Sequence, residues 1–130
     1  MSNHIFVLGW KLRLNLTYRK KLDGGTYQLV WSYILDYENS KNPFQERKEQ
    51  IIKWKKYALT DVEENPEIIN TAILLNNKGL QKMDSLHIAC AIFAKADYFL
   101  TTDDKVNKKA STIANIKIAD PIDFIKQALP

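Results

Sequence analysis

Short strand-like runs and helical segments alternate along most of this 130-residue chain. Runs rich in β-branched and aromatic residues predict strands at Tyr27–Trp31, Leu59–Val62, Asp97–Thr101 and Ile116–Ala119. The clearest helix between them spans residues 83–95, where apolar side chains recur with helical spacing. This alternation predicts an α/β fold in which helices cover both faces of a central parallel sheet.

Capping residues and prolines indicate where the other helices begin. Ser32 is predicted to be the N-cap of a short helix that continues through Asn39. Further helices are predicted over residues 42–57, 65–79 and 105–110, and from Pro121 onward. Asn-Pro pairs open the first two of these, and Gly79 ends the second.

Residues 1–22 carry two patterns that predict different structures. The alternation of apolar and polar residues from Trp10 to Tyr18 is typical of a half-buried strand. Ile5, Leu8, Leu12 and Leu16 form instead the apolar stripe of a helix. Periodicity alone leaves both interpretations open.

Length and composition exclude some kinds of protein. A chain of this length predicts a single domain over residues 1–130. Cys90 is its one cysteine, which excludes an intramolecular disulfide, and the apolar run around it predicts a buried, inert thiol. No stretch approaches the ~20 apolar residues of a membrane span, and the N-terminus lacks the basic flank of a signal peptide. We therefore expect a cytoplasmic protein with no membrane partner.

The net charge of +4 and the isoelectric point of about 9.1 permit nucleic-acid binding. The same values also fit a lysine-rich solvated surface, so charge alone does not decide the partner.

Three acidic residues follow or flank predicted strand ends. Glu38 lies on the helix after the first of these strands, Asp84 begins the helix over 83–95, and Asp103 follows the strand at Asp97–Thr101. In a parallel sheet such positions lie at the carboxyl edge, where ligands bind. Three carboxylates brought together there would repel one another without a cation, and oxygen ligands suit Mg²⁺ or Mn²⁺. Each acid also has a structural interpretation. Asp84 would interact favourably with the helix dipole, Asp103 would cap a helix, and Glu38 would be a solvated helix residue.

Two consecutive motifs resemble the PIN family of metal-dependent ribonucleases. Met83–Ala91 is similar to the family's helix with an aspartate before a Leu-His-Ile-Ala run, and Ala96–Asp103 is similar to its following strand and loop. Ser32–Glu38 resembles the family's serine-to-glutamate segment. The resemblance covers about residues 24–126 and implies a PIN-like three-layer α/β/α fold with a central parallel sheet.

The resemblance assigns roles to individual residues. Glu38, Asp84 and Asp103 match three of the family's four core acidic positions, which implies that they are catalytic and bind Mg²⁺ or Mn²⁺. Ser32, Thr101 and Asp104 are supporting residues: the Thr101 hydroxyl would orient a carboxylate or a water, and Asp104 is either an outer ligand or a helix N-terminal acid. Asp36 rivals Glu38, although the motif spacing favours Glu38. His87 matches a structural helix residue rather than a catalytic base.

The N-terminus departs from the family pattern. The family begins with an apolar strand that ends in aspartate, whereas Asp23 is the only acid before residue 36 here. Residues 1–22 are therefore interpreted as a divergent or truncated segment in the place of the family's first helix, with the first strand lost or replaced.

The resemblance implies hydrolysis of RNA phosphodiester bonds, in the manner of the VapC-type toxins of toxin–antitoxin pairs. It also implies a cognate antitoxin and a homodimer as partners. Because the first aspartate is missing, we expect weak or no cleavage. The alternative is a catalytically degenerate PIN remnant that binds protein or RNA. A receiver-like protein is a poorer fit, because its early pair of acids is absent.

Overall fold

The structure, a computed structural model, describes residues 3–7 and 16–128. Its strands are β1 (Asn3–Val7), β2 (Tyr27–Ser32), β3 (Ala58–Val62), β4 (Tyr98–Leu100) and β5 (Lys117–Ala119). Its helices are α1 (Leu16–Asp23), α2 (Tyr33–Ser40), α3 (Gln45–Lys55), α4 (Pro66–Asn77), α5 (Lys82–Phe93), α6 (Asp104–Lys108) and α7 (Pro121–Ala128), with a 3₁₀ turn at Ala110–Thr112.

Within the described residues, the five strands form one sheet in the order β3-β2-β1-β4-β5, and every neighbouring pair is parallel. β1 lies at the centre, with Phe6 in register with Val30 of β2 and with Phe99 of β4. The chain proceeds outward from β1 to β3, and then α4 and α5 lead it back to β4 on the other side of β1. The order of strands thus reverses between β1 and β4, and open α/β sheets bind ligands beside the carboxyl ends of the strands at such a point.

The predicted α/β class and the predicted parallel sheet are confirmed. Residues 1–22 were predicted to take the place of a helix, with the first strand lost or replaced. This prediction is wrong for residues 3–7, because they form the central strand of the sheet. A short apolar run such as Ile5–Val7 suits a strand that is covered on both faces of a parallel sheet.

Of the two interpretations left open for residues 1–22, the helix holds from Leu16 onward, where α1 begins, and the strand does not extend to Tyr18. The rest of that run, residues 10–15, lies outside the described residues.

Two helix starts show how local side chains set the limits of the elements. The Asn65 side chain accepts a hydrogen bond from the backbone N–H of Ile68 at 3.1 Å and so caps α4, as its sequence predicts. Asn42 instead accepts from the N–H of Phe44 at 3.0 Å, which forms a turn before α3. The helix predicted from residue 42 therefore begins at Gln45.

Gly79 lies in the loop that follows α4 and has a φ of 100°, a left-handed conformation that favours glycine. A Cβ at this position would lie 2.7 Å from Nζ of Lys109, so the lysine side chain also occupies the space above it. This loop leads directly into α5.

Part of the core lies between the sheet and α5, and the rest includes residues of α1 and α7. The strand residues Leu29, Val30, Phe99 and Leu100 are fully or almost fully buried, and so is the run from His87 to Ala91 in α5. α5 contacts both β2 and β4 and packs against α4. Because Ala89, Cys90 and Ala91 are small, the helix backbone can lie close to its neighbours. Among the described residues, the helices are too short or too polar to cross a membrane.

Two leucines on adjacent strands provide a matched test of this core. Leu29 is 1% exposed on β2, whereas Leu59 is 73% exposed on β3. We expect Leu29→Ala to lower the free energy of unfolding by about 2–5 kcal/mol, because it removes apolar contacts and leaves a cavity. Leu59→Ala should change it by only about 0.5 kcal/mol. Urea unfolding followed by circular dichroism measures both values, and equal losses would contradict the burial of β2.

Burial also predicts the reactivity of the single thiol. Burial raises the pKa of Cys90 to about 12, although a hydrogen bond with Ser32 acts in the opposite direction. The thiol is therefore protonated at pH 8, and only the thiolate is a good nucleophile. We expect its reaction with a disulfide reagent such as DTNB to be far slower in the native protein than in guanidinium chloride. Equal rates would show that Cys90 is accessible and ionised.

Candidate functional site

Glu38 is carried to the carboxyl edge of the sheet by α2. This helix follows β2 without a loop, because Ser32, the last residue of the strand, is also the N-cap of the helix. The buried Ser32 hydroxyl accepts a hydrogen bond from the N–H of Leu35 at 3.3 Å. Ser32 therefore has a capping role, and the direct connection places Glu38 in the second turn of α2.

Asp36 and Glu38 contact different parts of the protein. Asp36 accepts a hydrogen bond from Nε1 of Trp31 at 2.9 Å and forms an ion pair with Lys55 at 3.1 Å. The hydrogen bond to Asp36 raises the pKa of Lys55, so the ammonium group stays charged at neutral pH. Lys55 also lies 3.7 Å from a carboxylate oxygen of Asp61 on β3. Asp36 is thus bound on the α3 and β3 side of α2.

Glu38 contacts α5 instead. Its Oε2 lies 3.2 Å from Nε2 of His87. An ionised carboxylate only accepts hydrogen bonds, so Nε2 of His87 is the donor. The His87 side chain is 0% exposed, while that of Glu38 is 24% exposed. Because substrate cannot reach a fully buried ring, His87 fits the predicted structural role rather than that of a catalytic base.

Asp84 lies in the first turn of α5, one turn before His87. It is half-buried and lines a cavity of about 530 Å³. The opposite wall comes from α6 and the residue after it, with Lys105, Lys108 and Lys109. Lys105, Lys108, Lys109 and Asp84 together carry a net positive charge at neutral pH, which suits an anion such as a phosphate.

Asp103 lies in the loop between β4 and α6. The buried Thr101 hydroxyl accepts a hydrogen bond from the N–H of Asp103 at 3.0 Å. Oδ1 of Asp103 in turn accepts from the N–H of Lys105 at 2.8 Å and caps α6. Thr101 therefore orients the backbone of Asp103, and one Asp103 oxygen is already bonded. Asp104 is exposed as the first residue of α6, as expected of a helix N-terminal acid.

Asn107 is a further residue of this loop region, and it was not among the residues predicted from the sequence. Its side-chain amide donates to the carbonyl oxygens of Thr101 at 3.0 Å and Asp103 at 3.2 Å, and so ties α6 to the loop. Its position one helical turn after Asp103 could have indicated this contact, because an amide there can reach back to the preceding loop.

α5 links the three predicted acids. It contacts Glu38 through His87, and its own Asp84 shares a cavity with α6, which Asp103 caps. Across residues 3–7 and 16–128, however, no group of three or more His, Cys, Asp or Glu side chains is arranged to hold a metal ion. The predicted metal-binding and catalytic roles of Glu38, Asp84 and Asp103 therefore stay predictions. Their oxygen chemistry fits Mg²⁺, which takes as few as one or two carboxylates and keeps several waters.

Comparison with known proteins supports the fold. No family model matches the sequence, and no curated protein matches it. Similar solved structures include a chain of VapBC2 from Rickettsia felis, crystallised with a DNA fragment from the promoter of its genes. The TM-score is 0.60 at 18% sequence identity, and the match covers 89% of this chain and 98% of the other. Together with the parallel sheet, this likeness confirms the predicted PIN-like α/β fold.

Proposed function

We propose that this chain is a PIN-type, Mg²⁺- or Mn²⁺-dependent endoribonuclease that serves as the toxin of a toxin–antitoxin pair. The observation that carries this proposal is the position of Glu38 and Asp103. They follow β2 and β4, the two strands that flank β1, at the carboxyl edge of the sheet. The likeness of the fold to a chain of VapBC2 supports the toxin–antitoxin part of the proposal.

Different residues of the site would bind the cation and the RNA. Glu38, Asp84 and Asp103 would hold the cation, which when bound stabilises charge on the phosphate and lowers the pKa of a water. The loop from Thr101 to Asp103 fixes one carboxylate by backbone hydrogen bonds. Lys105, Lys108 and Lys109 would attract the RNA backbone to the cavity beside Asp84.

Cleavage by this chain should be slow. β1 ends at Val7, and the sequence that follows it, Leu8-Gly9-Trp10-Lys11, has no carboxylate. The family's first acid is therefore not matched, even though its strand is. A misplacement of the reacting groups by about 1 Å can cost on the order of a hundredfold in rate.

A second candidate function is a non-catalytic RNA-binding module. The lysine-lined cavity favours it, because electrostatic attraction to phosphates needs neither a metal ion nor a complete set of acids. Under this alternative, the three acids have structural roles. Glu38 is the hydrogen-bond partner of the buried His87, Asp84 is a helix N-terminal acid, and Asp103 is the cap of α6.

A cleavage assay separates the two candidates. We expect the chain to cleave a mixed RNA pool slowly with Mn²⁺ and not with EDTA, and Asp84→Asn to abolish cleavage. Asp36→Asn is the matched control, because it removes an acid near Glu38 that is bound to Trp31 and Lys55. RNA binding without cleavage by the unaltered chain would favour the binding module instead.

Cation binding is testable without RNA. Mn²⁺ should raise the melting temperature, because a ligand that binds the folded state stabilises it by mass action. The Asp84→Ala/Asp103→Ala double variant should lose that rise. Since Asp103 caps α6, its removal also costs about 1 kcal/mol of stability. The quantity to compare is therefore the shift caused by Mn²⁺ within each variant, and an unchanged shift in the double variant would place the cation elsewhere.

A further inference from the structure

The cavity of about 530 Å³ between the α4–α5 loop and α6 has walls that local hydrogen bonds hold in place. In the loop, the side chain of Asn76 donates to the carbonyl oxygen of Leu80 at 2.7 Å. α6 is tied to the loop before it by the side chain of Asn107. Nζ of Lys78 donates to the carbonyl oxygen of Thr112 at 3.4 Å, which connects the first loop to the 3₁₀ turn after α6. Because these contacts already fix the walls, a ligand would bind without first ordering them.

Gly79 provides room for one of the ammonium groups that line the cavity. The side chain of Lys109 passes over this glycine, where a Cβ would lie 2.7 Å from Nζ and 3.5 Å from Cε. Any other residue at position 79 would therefore have to displace the lysine side chain. The missing side chain of Gly79 thus allows Lys109 to lie in the wall of the cavity.

The charge of the lining indicates the kind of ligand. Lys105, Lys108 and Lys109 contribute three positive charges at neutral pH and Asp84 contributes one negative charge, which leaves a net charge of +2. A phosphate monoester carries a charge of about −1.5 to −2 at pH 7, whereas each phosphodiester of an RNA backbone carries about −1. The lining therefore complements a terminal phosphate more fully than a phosphate within an RNA strand. The volume of the cavity also falls in the range of about 300–1,000 Å³ that is typical of small-molecule sites.

We infer that this cavity is a binding site for a terminal phosphate, the group that ends an RNA strand or belongs to a free nucleotide. The three ammonium groups donate hydrogen bonds to the phosphate oxygens, and charge-assisted bonds of this kind are strong. Asp84 lies on the opposite wall and weakens binding by repulsion. The site needs neither a metal ion nor cleavage, so the inference goes beyond the proposed function.

The experiment is a titration of the full chain in Tris chloride buffer without divalent cations, followed by the amide signals of residues 79–81 and 105–109 in NMR spectra. The ligands are inorganic phosphate, a nucleoside triphosphate, and a four-nucleotide RNA that carries a 5′-phosphate, a 3′-phosphate or neither. We expect the RNA with a terminal phosphate at one of its ends to bind about tenfold more tightly than the RNA without one, because it makes additional charge-assisted hydrogen bonds.

Three lysine and aspartate variants test the assignment of the site. Lys109→Ala should raise the dissociation constant of the phosphorylated ligands about tenfold, and Lys109→Arg should recover most of the affinity. Lys53→Ala is the matched control, because it removes the same charge from an exposed position on α3 outside the cavity. Asp84→Asn should lower the dissociation constant by about two- to fivefold, since it removes the repulsion. This gain is opposite in sign to the loss of cleavage expected of the same variant.

Gly79→Ala displaces the ammonium group without removing a charge. Its new Cβ would collide with Lys109, so the dissociation constant should rise about tenfold, as in Lys109→Ala. Gly25→Ala is the control for backbone strain. Gly25 also has a positive φ, of 74°, but no atom of the described residues lies within 4 Å of the position of its Cβ. If Gly79→Ala does not fold, Lys109→Ala still decides the test.

The outcomes separate this inference from the proposed function. Equal binding of RNA with and without a terminal phosphate would refute the inference, and so would an equal loss of affinity in Lys53→Ala and Lys109→Ala, which would indicate general electrostatic attraction. Tighter binding of the phosphorylated RNA than of the nucleotide would identify an RNA end as the ligand, and the reverse order would identify a free nucleotide. Either order supports the site. Saturable binding by a chain that cleaves no RNA would support the inference while the proposed nuclease activity fails.

Discussion

The pairing of β1 with both of its neighbours determines the geometry of the whole carboxyl edge. β2 and β4 each hydrogen-bond to β1 and not to each other, so without β1 both would expose unpaired backbone groups. Since adjacent strands lie about 4.8 Å apart, β2 and β4 are separated by about 10 Å. Glu38 and Asp103 therefore leave the sheet on opposite sides of β1.

α5 spans that separation. It crosses behind the sheet in contact with both β2 and β4, and its buried face presents small residues that let it lie close. His87 and Ser85 are the buried polar residues of α5. A buried imidazole costs stability unless it is hydrogen-bonded, and Glu38 provides an acceptor for it. The same contact that satisfies the histidine ties α2, which carries Glu38, to α5, which carries Asp84.

Much of this architecture is predictable from the sequence because it depends on local patterns. Ser32 and Asn65 cap the helices that their side-chain chemistry predicts, and the apolar runs of β2 and β4 form buried strands. The N-terminus was misjudged because its two periodicities conflict, and the position of β1 follows from pairing with distant strands. The choice between Asp36 and Glu38 rested on motif spacing alone. That choice stays a prediction. The contacts of Asp36 with Lys55 and of Glu38 with His87 join residues 19 and 49 positions apart, and no local pattern reveals them.

The exposed outer strand β3 has a consequence for the behaviour of the protein at high concentration. Among the residues that the structure describes, β3 pairs with β2 alone and carries Leu59, which is 73% exposed, and such an outer strand invites pairing with the sheet of another molecule. Asp61 lies two residues further along the same strand, within 3.7 Å of Lys55. A second sheet that approached this edge would have to strip water from a carboxylate and an ammonium group. The Asp36–Lys55–Asp61 cluster thus discourages aggregation through β3 as well as joining α2, α3 and β3.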